Sequence, residues 1–536
     1  MKKLSFIALS LAFMNASSHA QSLNSLFENG EKMAVVDDTI YFNSTAYHIA
    51  EGTRLSELVR NLPGAYIDVV NGITSIQGEN INKIVINGQE FFFNEVQALR
   101  YLPVENIEYI KFYERKSDLA RATGINDANE DKVLDIKYKP DMERRLSGIL
   151  NANHFGTIGL NLDYVKKGNR ISLITNIENN EYIPLGEGND IKQEEESKNN
   201  LNANLDFFTH AKNLEIGGSG RLTLYRERNM VDNTFGNLPK YNYQYDLHNI
   251  ETLNINTNMR IEWKPSESTT LLLRPYYSYT NNSNNICEKD YVLNQDPEPF
   301  YPTYYYELDS IVRHMDNIVN SKIMNGNSSS NFTSQYGGSA LFTQKFGDKG
   351  RNLTVSANGN VSIFGTQDIN AYSYKNTYKN SNNLYSNYTS KSERLNAGIT
   401  YTEPIAQETY LQIGYNFSYQ SEKDYGFKNY LFASEAFQNL FDKIYDTPHN
   451  IDAVLDYMGS INLAPTLTSG ADIYSKTKIY EHIVSLSLRK ITEKYNLFAG
   501  VDFIPSTSKY EYYDSSVLTS KRSFQIQRCS LCKTEI

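Results

Sequence analysis

The sequence predicts a mainly β protein in which a small mixed α/β domain precedes an antiparallel transmembrane β-barrel. Three observations predict it. After Pro140, hydrophobicity alternates residue by residue along several long segments. Those segments are joined by short turns and long polar stretches in alternation. Before Pro140 the pattern is different, with helical spacing and short apolar runs mixed together.

The protein opens with the layout of a secretory signal, here residues 1–20. Lys2 and Lys3 are followed by an apolar run from Leu4 to Met14, then Ser18-His19-Ala20. A run of about 11 residues is too short to span a bilayer as a helix, which takes roughly 20. Mature sequence is expected from Gln21, with residues 21–36 as a polar leader.

Residues 37–141 read as a compact domain with its own core. Leu55, Leu58, Val59 and Leu62 recur at helical spacing, and Pro63-Gly64 stops the helix. Ala65 to Val69 and Ile73 to Ile76 flank Asn71-Gly72, a hairpin signal because both central residues of the tight turn need positive φ. A second such pair, Asn87-Gly88, closes the strand-like Ile84 to Ile86. Asn94 and Gln97 mark a helix start, with Leu99 and Leu102 on one face and Pro103 beyond. Ile107 to Tyr113 and Val133 to Tyr138 read as strands.

From residue 142 to 527 the period is two. Leu253, Ile255, Thr257, Met259, Ile261 and Trp263 share one face, and Asn254, Asn256, Asn258, Arg260 and Glu262 the other. Ile171 to Ile177, Leu353 to Ile363, Leu395 to Tyr401, Leu411 to Tyr419 and Leu497 to Phe503 behave likewise. Eleven residues at roughly 3.3 Å each, tilted by about 40°, stand near 27 Å, the height of an outer-membrane apolar band. Short turns fall at 166–169, 265–268, 347–351 and 403–408, and long loops at 179–200, 227–250, 281–330, 366–392 and 422–480. Trp263, Tyr277, Tyr279, Phe417 and Tyr419 sit where interfacial rings belong. Pro275, which lacks a ladder donor, is expected at an edge or bulge. The pattern yields about 13–14 strands.

Composition excludes several classes. The 41 Tyr and 25 Phe suit a wall between lipid and water, and a net charge of −10 without a basic stripe argues against nucleic acid. No nucleophile elbow, zincin helix or phosphate loop occurs, so neither enzymatic, cofactor-binding nor metal-binding residues are predicted. Cys529 and Cys532 form a solitary CxxC, short of the four ligands of a zinc site, in a segment, 528–536, expected as an aberrant or disordered tail.

The order Leu62-Pro63-Gly64, Asn71-Gly72, Ile84 to Gly88, Phe91-Phe92 and Thr123-Gly124-Ile125 resembles the plug of TonB-dependent receptor-like outer-membrane proteins of Bacteroidetes. Met259 to Pro265 and Phe503 to Thr507 resemble barrel segments more loosely. The resemblance implies a plug inside a barrel of about 22 strands, so that the strands found here make the barrel incomplete and the protein truncated at its C-terminus. It implies an outer-membrane receptor that binds a large solute at external loops, with membrane lipid, the periplasmic TonB complex and a surface lipoprotein as partners. Met33 to Asp38 is the candidate TonB-contacting strand. The plug motif residues are structural, and ligand-binding residues are unknown. A structural or adhesive barrel, or a receptor fragment, are the alternatives.

Overall fold

A computed structural model describes residues 27, 31–50, 53–68, 73–92, 99, 102, 104–125, 127, 129–139, 144–153, 156–166, 168–182, 192–237, 240–294, 319–347, 350–374, 384–430, 456, 473–491, 496–514 and 517–532. The expected signal peptide, Asn71-Gly72 and most of the helix after Asn94 lie outside them, although Leu99 is helical and buried. The protein divides into two compact units. One comprises Met1–Ser147 with Asp163–Ile171, the other Gly148–Leu162 with Ser172–Ile536.

The first unit is mixed α/β, as its sequence predicts. Strands β1 (Met33–Val36), β2 (Thr39–Asn43), β6 (Lys83–Ile86), β7 (Gln89–Glu90), β8 (Ile107–Lys116) and β9 (Glu130–Tyr138) form one sheet, in the order β1-β2-β8-β9-β6-β7. Among the described residues of this sheet only β6 and β9 run parallel. β3 (Ala65–Asp68), β4 (Ile73–Ile76) and β5 (Glu79–Asn80) make a second, smaller sheet. Helix α1 (Leu55–Arg60) buries Leu55, Leu58 and Val59 completely, the stripe that its spacing predicts. Phe42, Ile84, Val85, Ile110, Leu134 and Ile136 complete the core. Strand β1 starts inside the segment expected as a polar leader, because Met33 to Val36 pair in register with β2.

Fourteen strands, β10 to β23, follow one another in sequence order in one sheet. It makes up the second unit apart from the ends of β10, β11 and β12 that fall in the first. From β13 onward each neighbouring pair is antiparallel. The first three are β10 (Arg144–Ala152), β11 (Thr157–Lys166) and β12 (Asn169–Tyr182). β13 (Lys192–Ala211), β14 (Leu214–Asn237), β15 (Lys240–Ser266) and β16 (Thr269–Leu293) follow. Then come β17 (Val319–Lys345), β18 (Asn352–Tyr374), β19 (Leu384–Ala406) and β20 (Thr409–Tyr430). β21 (Ile473–Ile491), β22 (Asn496–Asp514) and β23 (Val517–Cys532) complete the order. Among the described residues β10 and β23 each pair on one side only.

The tight turns fall where the sequence puts them, and Lys212-Asn213 adds one that it missed. The long loops are corrected in part: their flanks are strand, while 183–191, 295–318, 375–383 and most of 431–472 lie outside the described residues. β15 and β17 each run 27 residues, and 227–250 is almost wholly strand rather than loop. Alternation fails from Arg228 to Asn233, where polar side chains fall on both faces, although Tyr241, Tyr243, Tyr245 and Leu247 still alternate with Asn242, Gln244, Asp246 and His248. A neighbouring strand is still present to satisfy each N–H and C=O, and pairing continues. At roughly 3.3 Å per residue and a tilt near 40°, such a strand rises about 70 Å, far beyond an apolar band of about 25 Å.

Two further expectations are corrected. Pro275 sits in β16, paired with β17 inside the sheet, rather than at an edge strand. Its missing donor is absorbed where the β15 ladder skips Met259 and Arg260, and Gly338 gives it room on the other side. Strand β23 runs through Cys532, whose neighbour across the ladder is Gly500, so residues 528–532 are strand rather than disordered tail. Their ladder to β22 supplies the hydrogen bonds that hydropathy could not signal.

Candidate functional site

Two features carry chemistry: the turn cluster of the first unit and the two faces of the long sheet. In the turn cluster, Leu62 is buried and donates its N–H to Val59 O, ending α1. Gly64 has φ +76°, and a Cβ there would run into the Gln77 side chain. Gln77 donates its backbone N–H to Gly64 O and its amide to Pro63 O, so Leu-Pro-Gly is the corner that turns helix into β3.

Asn87 and Gly88 have φ of 53° and 79°, both in the left-handed region that the hairpin signal requires. The turn is pinned from β9. Asn87 donates its backbone N–H to Ile136 O, its side chain accepts from Tyr138 N–H at 3.0 Å, and Gly88 N–H donates to Asp135 Oδ1 at 2.9 Å. Asp135 is almost wholly buried and pairs with Lys137 at 3.1 Å. Phe91 is buried, Phe92 half-buried, and the Arg170 guanidinium lies 4.9 Å above the Phe91 ring. Helix α2 (Asp118–Thr123) is capped by Ser117, which accepts from Ala120 N–H, and ends at left-handed Gly124. Thr123 is buried and accepts from Ile125 N–H, while Ile125 closes the core. Gly72 lies outside the described residues. The motif residues therefore make turns, caps and core. Asp135 and Arg170, which hold them, carried no sequence signal, since a lone acid in a strand is ordinarily solvated.

The electrostatics of this unit are local. Burial, with Glu108, Asp135 and Tyr41 nearby, pushes the Tyr109 phenol up to about 12. Lys111 rests over the Tyr41 and Tyr109 rings at 5.1 and 5.6 Å. Lys132 binds Glu114 and holds its carboxyl below the usual range, while the bond from Glu114 raises its neighbour Glu130.

Over much of its area the long sheet inverts the order of a water-soluble protein, although Phe208, Leu247, Leu272, Tyr291 and Ile369 are buried in it as well. Its buried side chains include Asn204, Asp206, Arg260, Glu262, Asn352 and Thr402, whereas Leu205, Trp263, Ile399, Ile413, Leu486 and Phe503 are exposed. Register makes the exposed face continuous. Leu214, Trp263, Leu271, Phe342, Val355, Ile399, Tyr415, Val484 and Phe503 lie opposite one another from β14 to β22. The polar face has its own pairs: Arg260 with Glu262 at 2.6 Å, Lys264 with Glu262 at 2.8 Å, and Arg221 with Asn204 at 3.0 Å. Aromatic rings collect beyond the apolar rows, as in Phe417 with His482 and Tyr419 with Tyr480. Among the described residues no group of three or more His, Cys, Asp or Glu side chains could hold a metal ion, and no helix is long and apolar enough to cross a membrane.

No family model matches the protein, and no curated protein is similar to it. Solved structures similar to it include the copper transporter OprC, with 8% identity over 91% of this protein and 97% of that one, and a TM-score of 0.19. The siderophore receptor PiuA from Acinetobacter baumannii shares 8% identity over 95% and 94%, with a TM-score of 0.21. BauA, the ferric preacinetobactin receptor of the same organism, shares 11% over 94% and 79%, with a TM-score of 0.23. Scores of this size lend no weight to function.

Proposed function

We propose that the protein is an outer-membrane receptor and transporter of the TonB-dependent type, of the kind its plug motif resembles in Bacteroidetes. One observation carries the reading: apolar side chains on the exposed face of the long sheet and polar ones on its buried face. In water that arrangement costs free energy on both faces. In a bilayer it gains on both, because lipid meets the apolar side and a wet interior meets the polar one.

A wide barrel leaks unless it is stopped, and a unit with its own core, most of it preceding the long sheet in sequence, supports the role of plug. Solute binds at the long connections and passes when the plug is moved. An outer membrane holds no ATP, so the work comes from the periplasmic TonB complex. Strand β1 pairs on one side only among the described residues, and Val35 is 61% exposed, which suits addition of an extended peptide as a further strand. Glycan as the solute would bring a surface lipoprotein partner. An adhesive role is the second reading, favoured by paired strands that continue far past the apolar rows.

The test is uptake in a strain carrying or lacking the energy-coupling complex, with the protein tracked by membrane fractionation. The proposal expects the protein in the outer membrane and uptake lost without the complex. Uptake that persists unchanged refutes coupling, and a soluble periplasmic protein refutes the whole reading.

A further inference from the structure

Above the aromatic rows, the exposed face of β19 to β23 turns basic. Register sets Lys391, Lys423, Lys476, Glu511 and Lys521 side by side across the five strands. The adjoining row is Glu393, Ser421, Lys478, Lys509 and Ser523, of which Ser421 is buried between its neighbours. Both rows lie on the face of Tyr419 and Tyr480, two and four residues further from the tight turns. Like charges directly opposite are destabilising, yet Lys391 faces Lys423, Lys423 faces Lys476, and Lys478 faces Lys509.

The acids present do not neutralise the patch. Glu393 pairs with Lys391 at 2.6 Å and Glu511 with Lys521 at 3.0 Å. Lys423, Lys476, Lys478 and Lys509 make no ion pair among the described residues. The patch is also local. Outward residues at a similar distance from the turns on β16, β17 and β18 are Asn281, Ser330 and Gln367, and on β14 Arg226 is already paired with Glu251.

We infer that this lysine cluster binds the phosphate of a glycolipid headgroup in the leaflet on the side of the long connections. The inference rests on the membrane reading above, which puts the cluster just beyond the apolar band. Lysine ammonium groups snorkel to that level on their own stems and meet phosphate as point charges. A sugar-bearing lipid fits better than a phospholipid because a further row, Tyr425 with Tyr474, stands beyond the lysines. That row is about 7 Å higher along the strand, where a phospholipid offers nothing and a sugar ring offers a face to stack.

The test uses full-length protein extracted from outer membranes in neutral detergent and titrated with lipid A, phosphatase-treated lipid A or phosphatidylglycerol. Binding is read by native mass spectrometry. Lipid A binds, and the combined Lys423→Gln, Lys476→Gln, Lys478→Gln, Lys509→Gln variant binds at least about tenfold more weakly. Arg226→Gln binds as the parent does, and Lys476→Arg with Lys478→Arg retains binding. Unchanged heat-dependent electrophoretic mobility shows that the variants fold.

Equal binding by the glutamine variant, or by phosphatase-treated lipid, overturns the inference. Equal binding of phosphatidylglycerol overturns the choice of a glycolipid, and full competition by inorganic phosphate reduces the cluster to a free-anion site. A protein absent from the outer membrane defeats the receptor reading instead. A correctly located protein with indifferent lysines defeats only this one.

Discussion

An arginine placed on each face of β21 separates a membrane wall from a soluble sheet, because the two predict opposite outcomes. Leu486 lies between Ile413 and Val501 on the exposed face, and all three are about half exposed. Ser485, the preceding residue, lies opposite Gly414 and Asp502 on the other face. In a bilayer, Leu486→Arg forces a guanidinium into hydrocarbon and costs about 2–4 kcal/mol near the midplane. Ser485→Arg gains Asp502 as a cross-strand partner in a wet interior and changes stability by less than about 1 kcal/mol. Were the sheet a soluble sandwich, Leu486→Arg would change an exposed site by about 0.5 kcal/mol or less, and Ser485→Arg would strain the interior. Urea unfolding from lipid vesicles measures both, and Trp263, the single tryptophan, reports through its emission. A costly Ser485→Arg beside a neutral Leu486→Arg would refute the assignment of faces.

Other predictions concern the first unit and can be read by hydrogen exchange in the full-length protein. Gly88→Ala is expected to destabilise the β6–β7 turn by about 1–2 kcal/mol, the cost of a side chain in the left-handed region, since nothing nearer than Lys137 Nζ at 3.7 Å meets the new methyl. Asn87→Ala removes the acceptor for Tyr138 N–H and should speed exchange of that amide by about tenfold, roughly 1–1.5 kcal/mol. Asp135→Ala leaves Gly88 N–H and Lys137 without their partner; a loss of about 2–3 kcal/mol is expected, larger than for either turn residue alone. The Tyr109 phenol is raised from 10.0 to about 12, so folding favours its neutral form. The stability tied to it is intact below pH 10 and is lost as pH rises through 12, which a titration of tyrosinate absorbance against Tyr109→Phe would show as one late-ionising tyrosine.

What the sequence made legible is what repeats or what only one residue type can do. The alternation from Leu253 to Trp263 located both faces of β15, and Asn87-Gly88 located its turn to within a residue. Of the outer halves of the strands, Arg228 to Asn233 leave no mark because polar side chains fall on both faces, whereas Tyr241, Tyr243, Tyr245 and Leu247 alternate with Asn242, Gln244, Asp246 and His248 and extend the period of β15 into a stretch expected as loop. Asp135 and Arg170 were missed for another reason. Each acts on a residue far away in sequence, Gly88 and Phe91, and no local pattern announces a tertiary partner. Pro275 misled because a proline rule that holds for one strand says nothing of glycines on the next, where Gly338 makes room.

The two-faced wall also bears on how such a polypeptide travels. Every second residue along Leu253 to Trp263 of β15 is polar, so no stretch there accumulates the uninterrupted greasiness that halts a polypeptide inside the translocon. It can be threaded through the inner membrane as if it were bound for water. Its grease becomes a surface only when neighbouring strands zip together, which defers commitment to lipid until assembly.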